Sequence, residues 1–151
     1  MTTPNMQPLS LERVTALFDA ENWQYELDEA TQTIQTGFSG IGMEIKFIAP
    51  TLNLITTVAV DTVTADDFDK VLAWVEAYNY QKAFPTVTAL KDDSRNLTAL
   101  GAAYALPGYW EYTDAQFSTH LHTGIQSMVQ VSRDFLGDFA PQVLQQLDAR
   151  G

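Results

Sequence analysis

The stretch IGMEIKFIAPTLNLITTVAV, residues Ile41 to Val60, decides the fold class. Ile41, Met43, Ile45 and Phe47 alternate with Gly42, Glu44 and Lys46, so an extended chain here is apolar on one side and polar on the other. Pro50 stops the run, because proline cannot donate to a strand ladder. Leu52, Leu54, Thr56, Val58 and Val60 resume the alternation after a connection so short that the second strand must return antiparallel to the first. A half-buried antiparallel sheet is therefore the expected centre of the protein.

Upstream, Trp23, Tyr25 and Leu27 alternate with polar residues and face Ile34, Thr36 and Phe38 across a polar turn, which predicts a hairpin. Ser39 and Gly40 then turn the chain into the strand at Ile41. Before the hairpin, Leu11, Val14, Leu17 and Phe18 share one helical face behind a capping Ser10, with Leu9 and Val14 at the spacing of a hydrophobic staple. That helix should end near Glu21 or Asn22, and residues 1–8 read as a flexible tail. Downstream, Thr64 and Asp67 form an acidic capping box for a second helix whose apolar stripe is Phe68, Val71, Leu72, Trp74, Val75 and Tyr78. Two more strands, Pro85 to Lys91 and Leu97 to Leu106, flank the turn Asp92-Asp93-Ser94-Arg95-Asn96. Thr113 and Gln116 open a long third helix with the stripe Phe117, Leu121, Ile125, Met128, Ser132, Phe135 and Phe139. Gly137 and Pro141 predict an interruption, and residues 141–151 a short last helix. The order helix, three to four strands, helix, two-strand hairpin, long helix describes one α+β domain spanning 1–151.

The composition supports folding and removes several functions. With 46% hydrophobic and 18% charged residues the chain has the apolar content of an ordinary globule, not of a disordered one. Its net charge of -11, with the four Lys and four Arg scattered among carboxylates, disfavours nucleic acid and anionic membranes as partners. The absence of cysteine excludes disulfides, thiol nucleophiles and Cys-based metal sites. No signal peptide or membrane span is read in the sequence, so a soluble cytoplasmic protein is expected.

Certain residues together carry a resemblance. Tyr78-Asn79-Tyr80 leads into Phe84-Pro85 and Leu90-Lys91-Asp92-Asp93, then Tyr104-Ala105-Leu106, then the Phe117, Leu121, Met128 and Phe135 stripe. Over residues 9 to 140 this pattern resembles the YbjN family of small bacterial proteins, which are sensory-transduction-regulator-like and whose fold looks like the type III secretion chaperones. The family's usual glycine in the Asp-rich turn is replaced here by Ser94-Arg95-Asn96. The resemblance implies a chaperone-like or regulatory role through protein contacts, and no active site.

The candidate sites are few. Gly37-Phe38-Ser39-Gly40-Ile41 is close to a nucleophile elbow but has Ile41 where the last glycine belongs, and a strand follows where a helix should. His120 and His122 lie about 200° apart on a helix and cannot share a metal. The clusters around Asp66 and Asp92 lack the ligand order of a calcium loop and read as dipole and turn chemistry. No catalytic, cofactor or metal residue is assigned. Asn79 is polar in the middle of the second helix's stripe and is expected to serve structure, closing the helix or tying the next loop to the sheet. Tyr109, Trp110 and Tyr112, in the connection before the third helix, are the candidate partner-binding residues. A non-enzymatic protein-binding module working through a sheet face or edge is the expected function, with a basic partner favoured by charge and a homodimer left open. The alternative is a small-ligand domain or weak serine hydrolase using Ser39 or Asn79 with one histidine.

Overall fold

The alternation over residues 41–60 becomes two neighbouring strands of a six-stranded sheet, in a computed structural model that describes residues 5–150. In chain order the elements are α1 (Leu11–Glu21), β1 (Glu26–Asp28), β2 (Thr33–Phe38), β3 (Ile41–Ile48) and β4 (Thr51–Val58), then a 3-10 turn (Ala65–Asp67) running into α2 (Phe68–Gln81). They are followed by β5 (Thr86–Asp92), β6 (Leu97–Leu106), α3 (Asp114–Phe139) and α4 (Pro141–Arg150). The sheet order is β1-β2-β3-β4-β6-β5, and every neighbouring pair is antiparallel. The fold class is α+β, as the patterning predicts.

Register follows from turn chemistry. Phe38 pairs with Ile41, leaving Ser39 and Gly40 as a two-residue turn with φ of 53° and 80°. Positive φ at both central residues is the type I′ geometry that matches strand twist. Between β5 and β6 the missing glycine is replaced in kind: Asn96 takes the left-handed backbone at φ 55°. Asp92 closes the same turn, its carboxylate accepting from the Ser94 hydroxyl at 2.7 Å and the Arg95 amide at 3.1 Å. Those bonds, the Ser94 hydroxyl first, hold the Asp92 carboxyl below its ordinary pKa.

Helices α1, α2 and α3 cover one side of the sheet. Ser10 caps α1 by accepting from the Arg13 amide at 3.2 Å, and the staple residues Leu9 and Val14 are both buried. The Thr64 and Asp67 box forms on the 3-10 turn that leads into α2 and not on α2 itself, the Thr64 amide donating to the Asp67 carboxylate at 2.8 Å. The Thr113 and Gln116 box opens α3, with the two reciprocal bonds at 2.9 and 3.1 Å. The buried residues of α3 follow the predicted stripe from Phe117 to Phe135, while Phe139 is half-buried. They press on Ile34, Met43, Ile45, Leu54 and Leu100 of the sheet's inner side.

Gly124 is where this layer touches most closely. A methyl added there would meet the Tyr104 ring at 2.7 Å and Leu54 at 3.1 Å, so a glycine lets α3 settle onto β4 and β6. Gly124→Ala is expected to be net destabilising by about 1 kcal/mol, because overpacking of about 1–3 kcal/mol outweighs a helix-propensity gain of up to about 1 kcal/mol. A urea melt of the variant checks the sign.

Four sequence expectations need correction. The strand predicted through Trp23, Tyr25 and Leu27 is formed only at Glu26–Asp28. The Trp23 amide is still bonded to the Phe18 carbonyl at 2.8 Å and the rings of Trp23 and Tyr25 wrap Phe18, so these residues finish the helix before the chain can pair. Strand β4 ends at Val58, not Val60, as the chain turns toward Val63. Gly137 does not interrupt α3, which runs to Phe139; it keeps its amide, and only Pro141 starts a new helix. Of the expected tail, Gln7 is fixed by two backbone hydrogen bonds to Tyr112, at 3.1 and 2.8 Å, while residues 1–4 lie outside the described residues.

Candidate functional site

Because strand side chains alternate, the face opposite the helices is built from the other half of each strand. The registers line up one continuous row across it: Glu26 pairs with Gln35, Gln35 with Glu44, Glu44 with Ile55, Ile55 with Ala103 and Ala103 with Thr86. Beside this row lie Thr57, Gly101 and Thr88 on one side, and Asn53 and Ala105 on the other. Ile48, Ile55 and Leu90 are exposed on this face at 56%, 36% and 43%. Isolated exposed apolar side chains are ordinary, but these share a sheet face with the exposed alanines 103 and 105.

The edges of the sheet are less open than its face. Edge β1 is three residues long and carries Glu26 and Asp28. Edge β5 is sealed at Val87 by Asn79: the Val87 amide donates to Asn79 Oδ1 and Asn79 Nδ2 donates to the Val87 carbonyl, both at 2.9 Å. Short charged strands and capped backbone groups are devices that prevent strand addition. Asn79 thus ties the helix to the strand that follows it. The sequence placed it in a buried stripe, whereas it stands at the exposed margin of α2 with its amide engaged.

The aromatic candidates separate into two kinds. Tyr112 is 4% exposed, its hydroxyl donating to the Pro107 carbonyl at 2.7 Å and its ring lying edge-on to His120. It belongs to the core, and burial raises the pKa of its phenol. Tyr109 and Trp110 are 84% and 58% exposed. Their loop is pressed against the β3–β4 turn, since a methyl on Gly108 would fall 1.6 Å from the Pro50 carbonyl oxygen.

Ser39, His122, Trp23, Phe38 and Phe84 line a groove of about 670 Å³ beside α3, yet no hydrogen bond joins Ser39 to a histidine. His122 has other neighbours: Nδ1 lies 2.7 Å from the Ser118 carbonyl and 3.3 Å from the Ser118 hydroxyl, and Nε2 faces Glu21 at 3.9 Å. A serine, a histidine and a carboxylate therefore adjoin on the surface. The carbonyl can only accept, so Nδ1 is held as the N–H donor and cannot take the Ser118 proton. His120 instead packs on Tyr112, on another side of the helix. No group of three or more His, Asp or Glu able to hold a metal is found among the described residues. Neither is a helix long and apolar enough to cross a membrane.

No family model matches the chain, and no curated protein does. A solved structure does: YbjN from E. coli, a candidate transcription regulator, superposes with a TM-score of 0.69 over 91% of this chain and 97% of that one, at 18% identity. The fold is YbjN-like. At that identity the likeness concerns architecture, and the YbjN-like frame is what positions the bare face, the sealed edge and the Tyr109–Trp110 loop. Sequence reading expected a sheet face or edge but not its make-up, because that signal lies in register: only the pairing shows that Glu26, Glu44, Ile55 and Ala103 form one row.

Proposed function

We propose that the protein is a non-enzymatic interaction module, regulatory or chaperone-like, that holds another polypeptide on the bare face of its sheet. The observation that carries this reading is the one-sided covering of the sheet together with guarded edges. Helices occupy one face, β1 is short and acidic, β5 is capped by Asn79, and the remaining face carries Ile48, Ile55 and Leu90. Likeness to a protein described as a candidate transcription regulator agrees with a role in regulation. With a net charge of -11, regulation by this chain would pass through protein contacts and not through the phosphates of DNA. Tyr109 and Trp110 are offered as secondary anchors at one end of the sheet.

The test is a native pull-down at low salt with the wild-type chain and Ile55→Asp, identified by mass spectrometry. A partner retained by the wild type and lost in the variant, with the melting temperature held, is the expected result. A strict monomer by light scattering that retrieves no partner speaks against the module. A homodimer, if one forms, competes for the same face.

The hydrolase alternative has its own expected outcome. Ser39 sits in a tight turn without a base, so a fluorophosphonate probe should label neither Ser39 nor Ser118 above the background of a denatured control. Labelling of either serine would restore an enzymatic reading.

A further inference from the structure

The bare face is not uniform, and its gradation specifies an occupant. Along the row that crosses all six strands, the first three positions are Glu26, Gln35 and Glu44 and the last three are Ile55, Ala103 and Thr86. Neighbouring strands are about 4.8 Å apart, so the two carboxylates stand two tracks and about 10 Å apart with Gln35 between them, and the apolar tracks begin about 5 Å beyond Glu44. The Gln35 amide donates to one Glu44 oxygen at 3.4 Å, while Glu26 is exposed and Glu44 half-buried on this row. Asp28 lies one register position away, and Lys46, paired with Thr33 and Asn53, is the cation this half of the face carries. The other half is low-lying: Gly101, Ala103 and Ala105 have little or no side chain, and Leu90 folds over Gly101, where an added methyl would meet it at 3.1 Å.

We propose that this face receives an amphipathic helix with an apolar stripe and a flanking Lys/Arg stripe, supplied by a basic partner protein. The inference rests on the module reading above and deepens it by naming the partner's chemistry. The dimensions agree. A helix about 10–12 Å across covers between two and three strands, so its apolar stripe can rest on Ile55 and Ala103 while its basic flank reaches Glu44, with Glu26 about 10 Å further out adding to the attracting field. Strands of 8 residues, β3 and β4, extend about 27 Å, the length of a helix of about 18 residues. The alanines and glycine of β6 permit close approach, and long Lys or Arg side chains can lie over apolar surface with their charged ends at the carboxylates. Charge also selects against a second copy, which would bring another net -11 onto the same acidic half.

The test uses the full chain with methyl-labelled Ile and Ala and an amphipathic helical peptide of leucine and lysine, about 18 residues long. The expected result is that the Ile55 and Ala103 methyls shift on titration, and that affinity falls at least about tenfold between about 0.01 and about 1 M salt, where the Debye length shrinks from about 30 to about 3 Å. Glu26→Lys with Glu44→Lys should weaken binding about tenfold or more and flatten the salt dependence. Ala103→Arg should block it while leaving both carboxylates in place. If a leucine–glutamate peptide moves the same methyls equally, or the methyls shift with protein concentration alone, the basic-helix inference is overturned while the face remains an interaction surface. If those methyls respond to no peptide and to no change in concentration, the module reading falls with it.

Discussion

Phe18→Ala should destabilise the protein by about 3–5 kcal/mol, out of a total stability on the order of 5–15 kcal/mol. Phe18 is fully buried where α1 meets the β1–β2 end of the sheet, and three other aromatic rings stand edge-on to it. Trp23 lies at 5.2 Å, Tyr25 at 5.7 Å and Phe38 at 6.0 Å between ring centroids. Edge-to-face pairs add about 0.5–1.5 kcal/mol each beyond the area they bury, and truncation removes three of them together with most of the side chain. The cavity can close only if α1 moves, and its Ser10 cap and the Arg13 bonds to the Gln7 carbonyl at 2.7 Å and Asp114 at 3.0 Å resist that. Equilibrium urea unfolding measures the loss, with Phe84→Ala as the comparison. Phe84 is 47% exposed and pairs with Tyr104 alone, so its truncation should cost about 1 kcal/mol. Equal losses for the two variants would show that the Phe18 cluster does not anchor α1.

Asn79→Ala is expected to have two consequences measurable apart. Loss of both bonds to Val87 should cost about 2 kcal/mol, at about 1 kcal/mol net for each. The freed amide and carbonyl then form an unpaired pair near the start of an edge strand, the kind of template on which a second strand adds. The variant should therefore self-associate with concentration more strongly than the wild type, as read by sedimentation velocity. Asn79→Asp separates the effects, since a carboxylate still accepts from the Val87 amide but has nothing to donate to its carbonyl. Its stability should fall between the other two. Wild-type stability in Asn79→Ala would mean that the strand edge needs no cap.

How far the chain could be read without coordinates depended on whether a feature was local. Capping at Ser10, Thr64 and Thr113, the alternation of β3 and β4 and the stripe of α3 each involve residues within a few positions, and each is in place. What pattern alone did not give involves partners outside the element that carries the pattern. Trp23 and Tyr25 alternate as a strand does, but their rings are claimed by Phe18. Asn79 falls in the apolar stripe by angle alone, and only the path of β5 past the helix shows its amide matched to Val87. Tyr112 shares its loop with Tyr109 and Trp110, and it is the bridge to Gln7 that carries it inside. Which residues make up the bare face was illegible for the same reason. A residue's place on a strand gives its side, whereas its neighbours across six strands come from pairing.

Tyr112 has one more effect. With its hydroxyl fastened to the Pro107 carbonyl and its backbone to Gln7, it braces the short span from which Tyr109 and Trp110 project. A visiting chain would thus meet two rings whose mounting was immobilised during folding, so little conformational freedom remains to be surrendered at the moment of contact.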